Sequence, residues 1–343
     1  VLMSEFATIL TSVDDGVATI TIDRPKALNA LNLQVLTDIT DATIQAGLRA
    51  VLREVVPPED AALDFAVIGM GRFGGAELGF GSDADVLYVY DANGVDPGRA
   101  EKLATRIVAG LREHLTDHRL PLDLDAGLRP EGRNGPIVRS LDAYAAYYRR
   151  WSLSWEAQAL LRARGVAGST KLIGRFMELA DSIRYPETVD LQGLREIKRI
   201  KARVEGERLP QGTDPRRHLK LGPGTLSDVE WLVQLLQLQH ATDVPGLRTT
   251  STLHALEAAV AAGLVEEEDA ERLRAAWLLS SRLRSGITLL TGQTSDVLPA
   301  DRRQLDALAR LLGYPPRSAT PLEEDYLAVT RRARRTFEQL FYG

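Results

Sequence analysis

The stretch that decides the fold is FAVIGMGRFGGAELGFGSDADVLYVYD, which occupies residues 65–91. It opens with a short apolar strand pattern at 65–68 and closes with a second one at 86–90. A glycine-rich turn and the acidic segment Ser82-Asp83-Ala84-Asp85 lie between the two patterns. Two strands joined by such a connection predict an α/β domain that carries its chemistry in the connection.

One interpretation of the turn is a dinucleotide-binding fingerprint. Gly69, Gly71 and Gly74 form a literal GxGxxG after a strand. A nucleotide-binding βαβ unit needs an amphipathic helix between its strands. Only nine residues lie between Gly75 and Asp85, and two further glycines interrupt them. The spacing therefore argues against NAD or FAD binding.

The alternation of acidic residues favours a metal site. Asp83 and Asp85 are two residues apart, so on a strand they share one face with Cα atoms about 7 Å apart. Like charges placed together are costly without a cation between them. Metal-dependent nucleotidyl transfer needs paired carboxylates beside a glycine-rich turn. The alternative is a Ser-Asp turn cap with an exposed Asp85.

Composition and charge exclude several classes of protein. The 343 residues predict about two domains. The chain has 42 basic and 47 acidic residues, so no basic excess exists for non-specific binding of nucleic acid. Cysteine is absent, which excludes disulfides, zinc–thiolate sites and cysteine nucleophiles. No apolar run reaches about 18 residues and no leader pattern is visible, so we expect a cytoplasmic protein without a membrane partner.

Three parts follow one another along the chain, at 1–42, 43–185 and 186–343. The first contains a strand pattern at 17–22. The second is predicted to be the α/β catalytic domain, with a further strand at 120–125 and a long helix at 141–164. The third shows no strand pattern and predicts an all-α domain. Its helical stripes lie at 190–208, 227–241, 252–262, 268–292, 301–312 and 323–341.

Four motifs occur in order along residues 43–343. They are GMGRFGGAEL with SDAD (69–78 and 82–85), DAGLRP (125–130), WEAQALLRAR (155–164) and HLKLGPGTLSDVEW (218–231). Together they resemble the glutamine synthetase adenylyltransferase/adenylyl-removing family, in particular its actinobacterial members and its C-terminal, AMP-attaching module. The resemblance implies a polymerase-β-like nucleotidyltransferase domain with a mixed sheet, followed by a helical-bundle domain.

The resemblance also implies roles for individual residues. Asp83, Asp85 and Asp125 would hold two Mg²⁺ ions and catalyse transfer of AMP from ATP to a tyrosine of glutamine synthetase, with the PII signalling protein as a possible second partner. Asp125 is selected over Asp123 because it stands three residues before Leu128. The expected nucleotide and phosphate contacts are Gly74, Gly75, Ser82, Arg129, Arg133 and Lys220. For each arginine an ordinary surface charge is the alternative, and the loop after Lys220 departs from the family at Gly224-Thr225.

The first 40 residues resemble a different family. The stretch DGVATITIDRPKALNALN, at 15–32, is similar to the start of an enoyl-CoA hydratase (crotonase). The oxyanion segment of that family is missing, so we expect no acyl-CoA chemistry here. The segment is too short to bury a core, so we expect it to be loosely docked or disordered.

Two alternatives to adenylylation of glutamine synthetase stay open for the function of this chain. One is uridylylation of a PII protein, and the other is a catalytically silent regulatory fragment.

Overall fold

A computed structural model describes residues 6–15, 17–116, 122–151, 154–186 and 191–343. The chain forms two compact units. The first contains the residues up to Leu78 and Asp83–Arg184, and the second contains Gly79–Ser82 and Tyr185–Gly343. Among the described helices, none combines the length and the apolar character needed to cross a membrane.

The first unit alternates strands and helices. Its elements are β1 (Ile9–Asp14), β2 (Val17–Ile22), α1 (Leu33–Val55), β3 (Asp64–Gly69), α2 (Gly71–Gly74), β4 (Ala84–Asp91), α3 (Pro97–His114), β5 (Leu124–Asp125), β6 (Val138–Ser140), α4 (Leu141–Trp151), α5 (Ser154–Leu160), β7 (Arg164–Gly168) and α6 (Thr170–Arg184). The five-stranded sheet has the order β5-β4-β3-β7, and β6 also pairs with β4. Strand β3 is antiparallel to β4 and β7, whereas β5 and β6 run parallel to β4. The predicted α/β domain with a mixed sheet is confirmed.

Both faces of this sheet are buried. Phe65 and Val67 of β3 pack in one apolar cluster with Ile107 of α3. Their neighbours Ala66 and Ile68 belong to a second cluster, which α4 and α6 complete. Since alternate side chains of a strand point to opposite faces, a strand buried on both faces needs a continuous apolar run. That requirement explains the run at 65–68.

The N-terminal segment is tied to the domain that follows it. Strands β1 and β2 form an antiparallel hairpin, and α1 continues without a break through residue 42. The backbone N–H and the Oγ1 of Thr8 donate to Oδ2 of Asp38 at 2.9 and 2.6 Å. Val35 and Ile44 of α1 are fully buried. The expectation of loose docking or disorder is therefore wrong for the first turns of α1, because their apolar side chains contribute to the core.

Two other expectations need correction. The predicted helix at 141–164 is instead α4, α5 and the strand β7, with residues 152–153 outside the described part. Gly168 ends β7 with φ +106°, and a Cβ there would lie 2.1 Å from the Phe65 carbonyl oxygen. This close backbone approach to β3 is a long-range contact that helical periodicity does not reveal. The expected strand at 120–125 reduces to the two residues of β5, and residues 120–121 lie outside the described part.

The second unit is helical, as predicted. Its helices are α7 (Leu191–Glu207), α8 (Leu226–His240), α9 (Thr252–Ala261), α10 (Glu267–Thr291), α11 (Arg302–Leu311) and α12 (Ala319–Phe337), which a π-helical turn, Glu338–Tyr342, extends. A buried ion pair joins two of them: Nζ of Lys201 on α7 lies 2.6 Å from Oδ1 of Asp228 on α8. Both side chains are almost wholly shielded from solvent. A buried charge of this kind requires its partner to remain in place.

Candidate functional site

The three aspartates selected from the sequence lie together at one edge of the sheet. The parallel register of β4 and β5 places Asp85 opposite Asp125. Asp83 precedes β4 and is separated from Asp85 by the buried Ala84. One carboxylate oxygen from each residue lies within 4.8 Å of the others. Across the described residues, this is the one group of three acidic or histidine side chains so arranged.

Backbone hydrogen bonds fix the two strand segments that carry these aspartates. The Ala84 N–H donates to the Asp123 carbonyl at 2.9 Å, and the Met70 N–H donates to the Asp85 carbonyl at 2.8 Å. Oδ1 of Asp125 accepts a hydrogen bond from the Gly127 N–H at 2.8 Å. That bond orients the Asp125 carboxylate from its own loop. The cluster is thus held by main-chain geometry rather than by flexible side chains.

Gly71 of the glycine-rich turn approaches the Asp85 side chain of this cluster. Gly71 has φ +51°, and a Cβ at that position would lie 2.2 Å from Oδ2 of Asp85. Only glycine combines this left-handed backbone with so close an approach. Gly71 was not among the site residues predicted from the sequence, although its place in the GxGxxG pattern, two residues after the end of β3, was a usable signal.

The donor set fits a hard divalent cation. Carboxylate oxygens are the ligands that Mg²⁺ and Ca²⁺ prefer, and each of the three side chains remains accessible to solvent. Three negative charges so close together repel one another unless a cation is shared between them. The arrangement could hold such an ion together with the phosphate oxygens of a nucleotide.

Gly74 and Gly75 have a structural role that the sequence analysis did not foresee. Their N–H groups donate to the carbonyls of Met70 and Gly71 at 2.7 and 3.1 Å. A Cβ on Gly74 would lie 1.8 Å from the Arg162 carbonyl oxygen. Gly74 is therefore required for close backbone packing, and in this conformation neither amide is directed at a phosphate. The contacts of these glycines with phosphate stay a prediction.

An ion pair beneath the turn holds it in position. Arg164 donates through Nε to the Gly74 carbonyl and through Nη2 to the Phe73 carbonyl, each at 3.2 Å. Its Nη1 lies 2.7 Å from Oδ2 of Asp41. Burial raises the pKa of Asp41 above its usual value, although Arg164 opposes that shift. This pair was not predicted from the sequence, because the helical pattern at 141–164 includes Arg164.

The two predicted phosphate-binding arginines differ in their surroundings. The Arg129 guanidinium donates to the carbonyls of Ala126, Gly135 and Arg133 at 2.8, 3.1 and 3.3 Å. Arg129 therefore organises the loop after β5, and its contact with a phosphate stays a prediction. Arg133 is exposed on the same loop. Its role as a phosphate ligand stays a prediction.

The last two predicted contacts belong to the second unit. Ser82 is half-buried and is the last residue of the 79–82 segment, where its N–H donates to the Gly79 carbonyl at 3.2 Å. Lys220 is exposed. Its loop is anchored by the buried His218, whose Nδ1 accepts from the N–H groups of Lys220 and Leu221 at 3.3 and 3.0 Å. Burial lowers the pKa of His218, which favours the neutral ring that can accept these bonds.

Two family models match the chain. Residues 10–179 match the model described as glutamate-ammonia ligase adenylyltransferase, and residues 195–341 match the model described as GlnD PII-uridylyltransferase. The first of these models covers the domain that carries Asp83, Asp85 and Asp125. The resemblance inferred from the motifs is confirmed for this adenylyltransferase domain, whereas the resemblance of the N-terminus to crotonases stays a prediction.

Curated relatives agree with the adenylyltransferase assignment. A bifunctional glutamine synthetase adenylyltransferase/adenylyl-removing enzyme of Leifsonia xyli is 61% identical over 90% of this chain and 30% of its own length. Proteins with the same name from Streptomyces avermitilis and Mycobacterium leprae are 52% and 50% identical, again over 90% of this chain and 31% of their own length. The chain therefore spans about a third of the relatives that it matches.

Proposed function

We propose that this chain transfers AMP from ATP to a tyrosine hydroxyl of glutamine synthetase and releases pyrophosphate, in the cytoplasm. The observation that carries the proposal is the convergence of Asp83, Asp85 and Asp125 within 4.8 Å in an adenylyltransferase-family domain. The names of the relatives supply the substrate, since they describe enzymes that adenylylate glutamine synthetase.

The three carboxylates would hold two Mg²⁺ ions. Mg²⁺ bound there would neutralise phosphate charge and favour ionisation of the attacking hydroxyl. The strand β4 and the Gly127 N–H hold the acidic side chains in a fixed arrangement, so little reorganisation is needed when ATP binds. Gly71 keeps the space beside Asp85 clear. In the reaction the tyrosine oxygen bonds to the α-phosphorus, and the bond from that phosphorus to the bridging oxygen of pyrophosphate breaks.

The test measures transfer of label from α-³²P ATP to glutamine synthetase in the presence of Mg²⁺. Asp85→Asn should lower the rate by about 10²-fold or more, since it removes one charge from the cluster. Asp123→Asn is the matched control, because Asp123 lies two residues before Asp125 and outside the cluster. Equal rates for the two variants would contradict the proposal.

A second candidate function is uridylylation of a PII protein. It is favoured by the match of residues 195–341 to the PII-uridylyltransferase model. The same acidic cluster would serve either nucleotide, because it contacts phosphates and not the base. Competition between ATP and UTP, with glutamine synthetase and a PII protein offered together, separates the two candidates. Absence of label on both proteins would indicate a regulatory fragment that is catalytically silent.

A further inference from the structure

A basic cavity in the second unit is lined by none of the residues proposed for the transfer reaction. It has a volume of about 500 Å³ and lies beside α12. Four arginines line it, namely Arg216, Arg331, Arg334 and Arg335, with Glu338 as the one acidic lining residue. The volume falls within the range of sites for small organic molecules, about 300–1,000 Å³.

Two of the four arginines of this cavity, Arg334 and Arg216, are paired with acidic side chains, and the other two have no such partner among the described residues. Arg334 lies 2.9 Å from Glu205, 3.0 Å from Asp228 and 2.7 Å from Glu338, which satisfies the guanidinium and also neutralises Glu338. Arg216 pairs with Asp214 at 3.3 Å.

Arg331 and Arg335 differ from the other two arginines. Both are exposed, and neither forms an ion pair with any residue in the described part of the chain. They stand four residues apart on α12, a spacing that places their side chains next to each other and makes two like charges mildly destabilising. The cavity therefore presents two unpaired guanidinium groups side by side.

The loop that contains Pro223 and Gly224 packs tightly against α12 beside this cavity. Pro223 lines the cavity, and Gly224, at φ +72°, packs so closely on α12 that a Cβ would lie 1.9 Å from the Thr330 carbonyl oxygen. The Gly224 N–H donates to Oδ2 of Asp228 at 2.6 Å, and Asp228 is also paired with the buried Lys201. The loop that sequence analysis marked as a phosphate contact thus forms one side of this cavity.

We propose that this cavity binds a small organic anion that carries at least two carboxylate or phosphate groups. Arg331 and Arg335 would each engage one acidic group through paired N–H donors, the geometry in which guanidinium binds carboxylate and phosphate most strongly. The apolar side chains of Pro223 and Leu327 would contact the carbon skeleton between those groups. The inference concerns the second unit alone and stands independently of the transfer reaction.

The test is calorimetric titration of the full chain with citrate and, separately, with fructose 1,6-bisphosphate, which carries two phosphate groups, in buffer that contains EDTA. Saturable binding of either probe is expected, and comparison of the two shows which acidic group is preferred. Arg331→Gln and Arg335→Gln should each weaken binding by about tenfold. Arg332→Gln is the matched control, because Arg332 lies on the same helix and does not line the cavity.

Three outcomes would overturn the proposal. The first is no saturable heat with either probe up to about 10 mM, a concentration that would reveal even millimolar affinity. The second is equal weakening by Arg332→Gln, which would indicate attraction to the helix surface in general. The third is unchanged binding in both cavity variants. Thermal unfolding monitored by circular dichroism verifies folding, and the exposed positions of Arg331 and Arg335 predict unfolding curves like that of the wild type.

Discussion

Substitution of Gly71 tests whether the turn shapes the acidic cluster. In Gly71→Ala the new Cβ would lie 2.2 Å from Oδ2 of Asp85, whereas ordinary contact begins at 3.4 Å. The difference between these distances requires the carboxylate oxygen to move by about 1 Å. A misplacement of that size in a reacting assembly costs about 10²-fold in rate. The left-handed backbone of Gly71 adds about 1 kcal/mol of strain.

Gly94→Ala is the matched control for this substitution. Gly94 also has a positive φ, +92°, but a Cβ there has no neighbour within 4 Å. Both variants should lose a similar, small amount of stability in urea unfolding, and only Gly71→Ala should lose AMP transfer to glutamine synthetase. Equal rates of AMP transfer by the two variants would show that catalysis does not depend on the close approach of Gly71 to the Asp85 carboxylate.

Three further predictions concern stability. Gly74→Ala should destabilise the fold by several kcal/mol, since its Cβ would lie 1.8 Å from the Arg162 carbonyl oxygen, whereas Gly174→Ala, which has open space in α6, should stabilise it by about 0.5–1 kcal/mol. Equal urea midpoints for the two variants would disprove the close packing of Gly74 on Arg162. Lys201→Met should lower the free energy of unfolding in urea by about 3 kcal/mol, because it removes the ammonium group that pairs with the buried Asp228. A decrease below about 0.5 kcal/mol would contradict this. The free energy of unfolding should fall as pH drops below about 6.5, because the pKa of His218 is lowered in the folded chain and the unfolded chain therefore binds a proton first. His218→Asn keeps a hydrogen-bond acceptor but does not titrate, so it should reduce this pH dependence, and an unchanged pH dependence would rule out His218 as its source.

The fold was predictable where burial requires a recognisable pattern of apolar residues in the local sequence. Strands β3 and β4 are buried on both faces and therefore appear as continuous apolar runs. The helices of the second unit were predictable because their apolar stripes repeat at helical spacing. Strand β7 was not, since its pairing depends on contact between the Gly168 and Phe65 backbones, about 100 residues apart in the chain.

The candidate site was predictable in its acidic residues and less so in their support. The two-residue spacing of Asp83 and Asp85 is visible in the sequence, but the parallel pairing that adds Asp125 joins β4 to a strand of only two residues. Asp41 and Arg164 form an ion pair although they are 123 positions apart in the sequence, so no local sequence pattern predicts it. Only the folded chain shows which side chains hold the turn in place.

Electron paramagnetic resonance with Mn²⁺ shows whether the three aspartates share divalent cations. Free Mn²⁺ gives a sharp signal that is lost on binding, so a titration with a non-hydrolysable ATP analogue counts the bound ions. The expected result is two bound ions per chain for the wild type, and none of comparable affinity when Asp83, Asp85 and Asp125 are all replaced by asparagine. Equal Mn²⁺ binding by the two proteins would contradict it.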